Sequence, residues 1–188
     1  MKLCYLTTEH GDISCASIVS KYGQYEPDLT VYAFTTIEDA CHIGFHCVVG
    51  SNVFIGRGTQ IDDGTRIQHG AFICRGARIG KNVFIGPLAI LTDDKHPVVG
   101  TIQTHEHYSY DAKPPILKDG CSIGAGAIIM PGITVGENAM VGAGAIITHD
   151  VEPGTTVIGV PARKLISDMT PGERLVIYYP EREGFGIP

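Results

Sequence analysis

The sequence predicts an all-β chain wound as a parallel β-helix, with one short strand and one turn in every six residues. Three observations carry that expectation: a strict six-residue spacing of large aliphatics, a small or β-branched residue two places before nearly all of them, and abundant glycine. The chain has 188 residues, with 24 Gly, 11 Pro and no Trp, yet 44% of it is hydrophobic, mostly Ile, Val and Ala. Small β-branched aliphatics suit strands and glycine suits turns, so this composition disfavours a helix bundle.

Stepping by six from Ile37 meets Ile43, Val49, Ile55, Ile61, Ile67, Ile73, Ile79, Ile85 and Leu91. A second run goes from Leu117 through Ile123, Ile129, Val135 and Val141 to Ile147. With Ile, Leu or Val at roughly one position in four, a run like the first arises by chance on the order of once in a million, so the period is real. The position two before the aliphatic holds Cys41, Cys47, Val53, Thr59, Thr65, Ala71, Ala77, Val83, Ala89, Cys121, Ala127, Ala139 or Ala145, sized to fill a corner. The position after it is often glycine, as at Gly44, Gly50, Gly56, Gly80, Gly86, Gly124, Gly136 and Gly142, which we read as a turn residue with positive φ. A period of six fits neither a helix nor a hairpin meander. It fits a solenoid of three hexapeptides per coil, with coils stacked by parallel pairing at about 4.8 Å and each coil stabilised by its neighbours.

Leu91 and Leu117 are not separated by a multiple of six, so residues 92–116 leave the coil as an external loop. This segment is polar and rich in His and Pro, and a long loop in a compact repeat domain is usually functional. The expected organisation is an N-terminal cap over 1–30, a solenoid over 31–165 interrupted by the loop, and a C-terminal helix and tail over 166–188. Thr170-Pro171-Gly172-Glu173 reads as a capping box, with a short helix over about 171–178.

The formal charge of −6 argues against a nucleic-acid partner. No stretch approaches the ~18 to 20 apolar residues of a membrane span, and the N-terminus has neither the apolar core nor the cleavage site of a signal peptide. The six cysteines form no C-x-x-C pair, and Cys41, Cys47 and Cys121 hold small-residue positions of the repeat, which predicts buried reduced thiols in a cytoplasmic protein.

The second run, IGAGAIIMPGITVGENAMVGAGAIITHDVEPGTTVIGVPARKL (123–165), closely resembles the C-terminal signature of acetyl-CoA- and succinyl-CoA-dependent members of the hexapeptide-repeat acyltransferase superfamily. That resemblance covers about residues 35–165 and implies a left-handed β-helix, a homotrimer with active sites in grooves between subunits, acetyl-CoA as cosubstrate and no metal. Ala125, Gly126, Ala143 and Gly144 are small enough for a pantetheine arm to lie along backbone groups. Arg163 and Lys164 can pair with CoA phosphates, and His149 is expected beside the same path.

The segment RIQHGAFICRGARIGKNVFIGPLAILTDDKHP (66–97) is most similar to N-acetyltransferases of nucleotide-linked amino sugars, which often show I-Q-N, V-F-I-G-P and T-N-D there. Gln68, Val83 to Pro87, Thr92 and Asp94 match; His69 and Asp93 stand where asparagines are usual. The resemblance implies acetylation of such a sugar for a surface polysaccharide. His96-Pro97 also resembles the loop start of maltose and galactoside O-acetyltransferases, whose catalytic His precedes Pro.

Acyl transfer needs a base near neutral pH, an oxyanion donor and a held acceptor. The expected catalytic residues are His96, His69 and Asp94, with Gln68 and Asp93 binding the acceptor. Two readings compete. A γ-type carbonic anhydrase would use three zinc-bound histidines on the same fold, for which His42, His46, His105 and His107 offer pairs but no third His at that family's spacing. A non-catalytic scaffold would use the repeat alone.

Overall fold

The computed structural model describes residues 17–97 and 112–165. Three parallel sheets run the length of the solenoid, each contributing one two-residue strand per coil. Face 1 holds Ile18–Val19, Thr36–Ile37, Phe54–Ile55, Phe72–Ile73, Ile90–Leu91, Ile128–Ile129 and Ile146–Ile147. Face 2 runs from Gln24–Tyr25 to Thr134–Val135, and face 3 from Thr30–Val31 to Thr156–Ile158. The pairs are in register one coil apart, as with Phe72 on Phe54 and Arg78 on Gln60. The architecture is the left-handed β-helix that the resemblance implied. No helix occurs among the described residues; the expected helix over 171–178 and the cap residues 1–16 lie outside them.

The second residue of each strand points inward. Ile37, Ile43, Ile55, Ile61, Ile67, Ile73, Ile85, Leu91, Leu117, Ile123 and Ile129 are fully buried and form one continuous core with the small residues two places before them. Each such burial contributes about 1.5 to 3 kcal/mol.

Two expectations need correcting. The coil register begins before residue 31: Ile18–Val19, Gln24–Tyr25 and Thr30–Val31 are already its strands, so residues 17–30 are solenoid rather than cap. The aliphatic spacing hid this because Tyr25 stands at an inward position. Glycines after the aliphatic do not supply the positive φ. That conformation falls three residues past the aliphatic, at Gly58, Gly64, Gly70, Gly76, Gly126 and Gly144 and also at Asn52, Asn82 and Asn138, which tolerate it better than most residues. Glycine after the aliphatic serves close stacking instead: a Cβ on Gly86 would sit 2.6 Å from the Ala125 nitrogen and 2.8 Å from the Gly124 carbonyl carbon.

The interruption falls between faces 1 and 2, after Ile90–Leu91, and the coil resumes at Ile116–Leu117 in register with Arg78–Ile79. At its base the Lys113 N–H donates to the Asp93 carbonyl at 2.9 Å, and the Gly132 N–H to the Lys113 carbonyl at 2.6 Å, so the loop is pinched where it leaves. At the far end the coil closes with Val151 bridged to Val135, and Arg163–Lys164 turns back antiparallel on Thr156–Ile158.

Candidate active site

A triangular coil has three corners, and they differ in chemistry. The corner between faces 3 and 1 stacks Ser51, His69, Pro87, Ala125 and Ala143, joined by backbone bonds: Gly70 N–H to Ser51 O, Leu88 N–H to His69 O, Gly126 N–H to Pro87 O and Gly144 N–H to Ala125 O, at 2.8 to 3.0 Å. Ala125, Gly126, Ala143 and Gly144 are exposed, and a Cβ on Gly126 or Gly144 would meet nothing. They form a smooth edge of backbone. The N–H of the residue two past the aliphatic lies outside this ladder and elsewhere finds a side chain: Ser51 N–H donates to His69 Nδ1 at 3.1 Å, and Lys81 N–H to Asp119 Oδ1 at 2.9 Å. At Ala125 and Ala143 no acceptor stands among the described residues, leaving two donors along the edge.

The corner between faces 1 and 2 carries Arg57, Arg75 and then Asp93, where the loop emerges. Thr92 Oγ1 donates to the Ile129 carbonyl at 3.0 Å. Asp93 is half-buried and its carboxyl is raised above the usual range by burial, opposed by the charge of Arg75. Asp94 Oδ1 accepts the backbone N–H of His96 at 2.8 Å, so this carboxylate shapes the loop's first turn, and His96 itself is exposed.

The last turn leaves a cavity of about 470 Å³ at the end of the solenoid, lined by Ile147, His149, Val151, Glu152, Arg163 and Lys164 among others. Lys164 Nζ lies 3.0 Å from Glu152 Oε2, Arg163 Nη1 donates to the Ala162 carbonyl at 2.8 Å, and Thr148 Oγ1 meets His149 Nδ1 at 3.0 Å.

The structure thus gathers Gln68, His69, Ala125, Gly126, Ala143 and Gly144 on one corner and Asp93, Asp94 and His96 on the next. His149, Arg163 and Lys164 share the end cavity. Face 1 separates the two histidine-bearing corners, so one chain does not bring His69 and His96 together. Sequence reasoning passed over Ser51 and Arg75, and took Pro87 only as the end of a matched motif. Counting modulo eighteen rather than six would have placed Ser51 and Pro87 with His69, and Arg75 beneath Asp93.

The other histidines with a zinc reading are apart: His42 sits on face 2, and His46 in the corner beyond it meets the Asp28 carboxylate. His105 and His107 lie outside the described residues. No group of three or more His, Cys, Asp or Glu suited to a metal occurs among the described residues. Cys41, Cys47, Cys74 and Cys121 are free and buried. Burial pushes the Cys47 thiol up to about 11 and those of Cys74 and Cys121 to about 12, so they are protonated at neutral pH and poor nucleophiles. No helix among the described residues is long and apolar enough to cross a membrane.

Comparison with known proteins agrees with this architecture. Residues 114–149 match the bacterial transferase hexapeptide family (six repeats), and residues 35–75 match the hexapeptide repeat of succinyl-transferase. These two matches fall on the repeat itself and support the resemblance to the hexapeptide-repeat acyltransferase superfamily. A putative acetyltransferase of Schizosaccharomyces pombe is 36% identical over 46% of this chain and 41% of its own length. The galactoside O-acetyltransferase of Escherichia coli is 35% identical over 45% of this chain and 40% of its own length. Each match therefore spans less than half of the relative. Among solved structures, the acetyltransferase domain of PglB from Neisseria gonorrhoeae superposes with a TM-score of 0.61 at 25% identity, covering 73% of this chain and 57% of that one. The same domain has been solved with acetyl coenzyme A, at a TM-score of 0.53 and 24% identity over 80% of this chain and 58% of that one.

Proposed function

We propose that the chain transfers an acetyl group from acetyl-CoA to the amine of a nucleotide-linked amino sugar, in the cytoplasm and toward a surface polysaccharide, as a ring of three subunits. The observation that carries this reading is the edge of the 3–1 corner: small exposed residues, N–H donors at Ala125 and Ala143 that have no acceptor among the described residues, and beyond them an end cavity that holds Arg163 and Lys164 alongside Asp150 and Glu152. A pantetheine arm has amide carbonyls for those donors, and Arg163 and Lys164 pair with its terminal phosphates once Lys164 exchanges Glu152 for them.

Face 1 is the apolar side of the prism. If three such faces turn toward a common axis, the 3–1 corner of each subunit meets the 1–2 corner of the next. His69 and Gln68 then face the neighbour's Asp93, Asp94 and His96, which supplies the groove a single prism lacks. The acceptor amine loses a proton to the His96 ring as its nitrogen bonds the thioester carbon; the C–S bond breaks and the proton passes to the departing sulfur. Asp93 and Gln68 hold the acceptor.

Turnover of acetyl-CoA against a panel of nucleotide-linked amino sugars tests the reading. One of them is expected to be acetylated with His96 required: His96→Ala lowers kcat by ~10²- to 10⁴-fold with KM for acetyl-CoA little changed. Turnover only with sugars that offer a hydroxyl would favour O-acetyl transfer, which the galactoside O-acetyltransferase relative and His96-Pro97 support. No turnover with any sugar would sink both.

A further inference from the structure

The corner position two residues past the aliphatic has a recurring duty: its side chain accepts the N–H of the residue one coil below. Asp63 Oδ1 accepts the Phe45 N–H at 3.1 Å, and Asp119 Oδ1 accepts the Lys81 N–H at 2.9 Å. These two are carboxylates, which only accept. His69 holds the same position on the 3–1 corner, and its Nδ1 accepts the Ser51 N–H at 3.1 Å. Gly50 permits the close approach of the two coils, since a Cβ there would lie 2.8 Å from the His69 backbone nitrogen. A neutral imidazole has one lone pair and one N–H. With the lone pair committed at Nδ1, the proton resides on Nε2, on an exposed side chain.

We infer that His69 is a hydrogen-bond donor through Nε2–H, aimed at the oxyanion of the acetyl thioester, and is not the base of the reaction. This rests on the acetyl-transfer reading above. Running along the corner from Ala143 through Ala125 and Pro87, an acyl-CoA descends three coils to reach His69, about 14 Å at a rise of about 4.8 Å per coil. When the amine nitrogen bonds the carbonyl carbon, the C=O π pair moves to oxygen, and Nε2–H donates to that oxygen. On collapse the pair returns, the C–S bond breaks and sulfur leaves with the proton carried by His96. His69 neither gains nor loses a proton, which fits a ring whose other nitrogen faces a backbone donor.

The test has a spectroscopic arm and a kinetic arm. Two-dimensional NMR of the full chain with ¹⁵N-labelled histidine reads the tautomer without substrate, His69 being assigned from its loss in His69→Gln. Nε2–H with an accepting Nδ1 is expected at pH 8; Nδ1–H would overturn the inference. Ser51→Pro removes the N–H that fixes the ring, and the same corner already accepts a Gly-Pro pair at Gly86-Pro87. In that variant the tautomers are expected to mix and kcat to fall several-fold.

Kinetically, His69→Gln keeps a donor near Nε2 and is expected to retain kcat within about tenfold, whereas His69→Leu loses about 10²- to 10³-fold. The acid-side limb of the pH–rate profile, where the rate rises with pH as the base of the reaction is freed, should survive in both. Equal losses in Gln and Leu, wild-type rates in both, or a limb that vanishes with His69 would each overturn the donor role. If the wild type acetylates no acceptor while the Nε2–H tautomer is present, the transfer reading fails and takes the catalytic role with it. If it acetylates well with Nδ1–H present, this inference alone fails.

Discussion

Two glycines on one corner have opposite reasons for being glycine. Gly86 follows Ile85 outside the left-handed region, and a Cβ there would strike backbone atoms of the next coil at 2.6 to 2.8 Å. Backbone cannot swing aside as a side chain can, so Gly86→Ala must separate two coils, at roughly 3 kcal/mol or more. Gly126 has φ +64 with open space around it. Alanine there meets only the left-handed penalty of about 1 to 2 kcal/mol, and its methyl protrudes onto the edge assigned to pantetheine. Gly126→Ala should therefore fold and raise KM for acetyl-CoA, while Gly86→Ala should lower the urea midpoint strongly. Equal losses of stability in the two, with KM unmoved by Gly126→Ala, would refute this division of labour. The spacing pattern read Gly86 as a turn residue with positive φ, and only the resemblance gave Gly126 its place beside pantetheine; the close stacking at Gly86 was not legible because it depends on backbone one coil away.

A coil is held to its neighbours by more than its aliphatics. Thr65 is fully buried; its hydroxyl donates to the Gly80 carbonyl at 2.9 Å and accepts the Val83 N–H at 3.1 Å. Thr35 makes the same pair of contacts with Gly50 and Val53. Thr65→Val keeps the volume and orphans both groups, which should cost about 1 to 3 kcal/mol; Thr65→Ser restores both bonds and should cost less. Urea unfolding with unchanged m reads the difference, and a valine variant as stable as wild type would remove the hydroxyl from the account. The strands were legible from Ile37 to Leu91 and from Leu117 to Ile147 because one inward aliphatic per hexapeptide repeats through both runs. The first coil was not, because Tyr25 fills a core position that elsewhere takes Ile, Leu or Val. The site was legible as residues but not as an arrangement. A six-residue period assigns His69 and Asp93 the same place in a hexapeptide, and only the eighteen-residue coil sends them to different corners. The tautomer of His69 was beyond sequence altogether, since it depends on the amide of a residue one coil away.

The prism's three faces differ in what they show to water. Face 2 presents Gln24, His42, Gln60, Arg78, Ile116 and Thr134, with Arg78 donating to Gln60 at 2.7 Å, a surface made for solvent. Face 1 presents Ile18, Thr36, Phe54, Phe72, Ile90, Ile128 and Ile146, apolar but for one threonine. Phe54 and Phe72 stack at 5.0 Å and 10°, and Phe72 remains 42% exposed with Leu88 beside the stripe at 65%. An apolar strip running along several coils is not what a monomer leaves in water. It borders both corners that carry the candidate site, so in the proposed ring of three, covering it with further copies and completing the groove are one event. A closed ring of three gives a particle of about 60 kDa, three times the 20.1 kDa chain. Phe72→Glu places a charge in the middle of the strip, where burial without a partner is strongly unfavourable. It should leave the β-sheet circular dichroism of the solenoid intact, reduce the mass by light scattering to that of one chain, and abolish acetyl transfer, although Phe72 touches neither histidine's proposed partner. A wild type that scatters as a monomer, or a monomeric Phe72→Glu that still turns over acetyl-CoA at the wild-type rate, would show that one prism suffices and that His96 and His69 act without a neighbour.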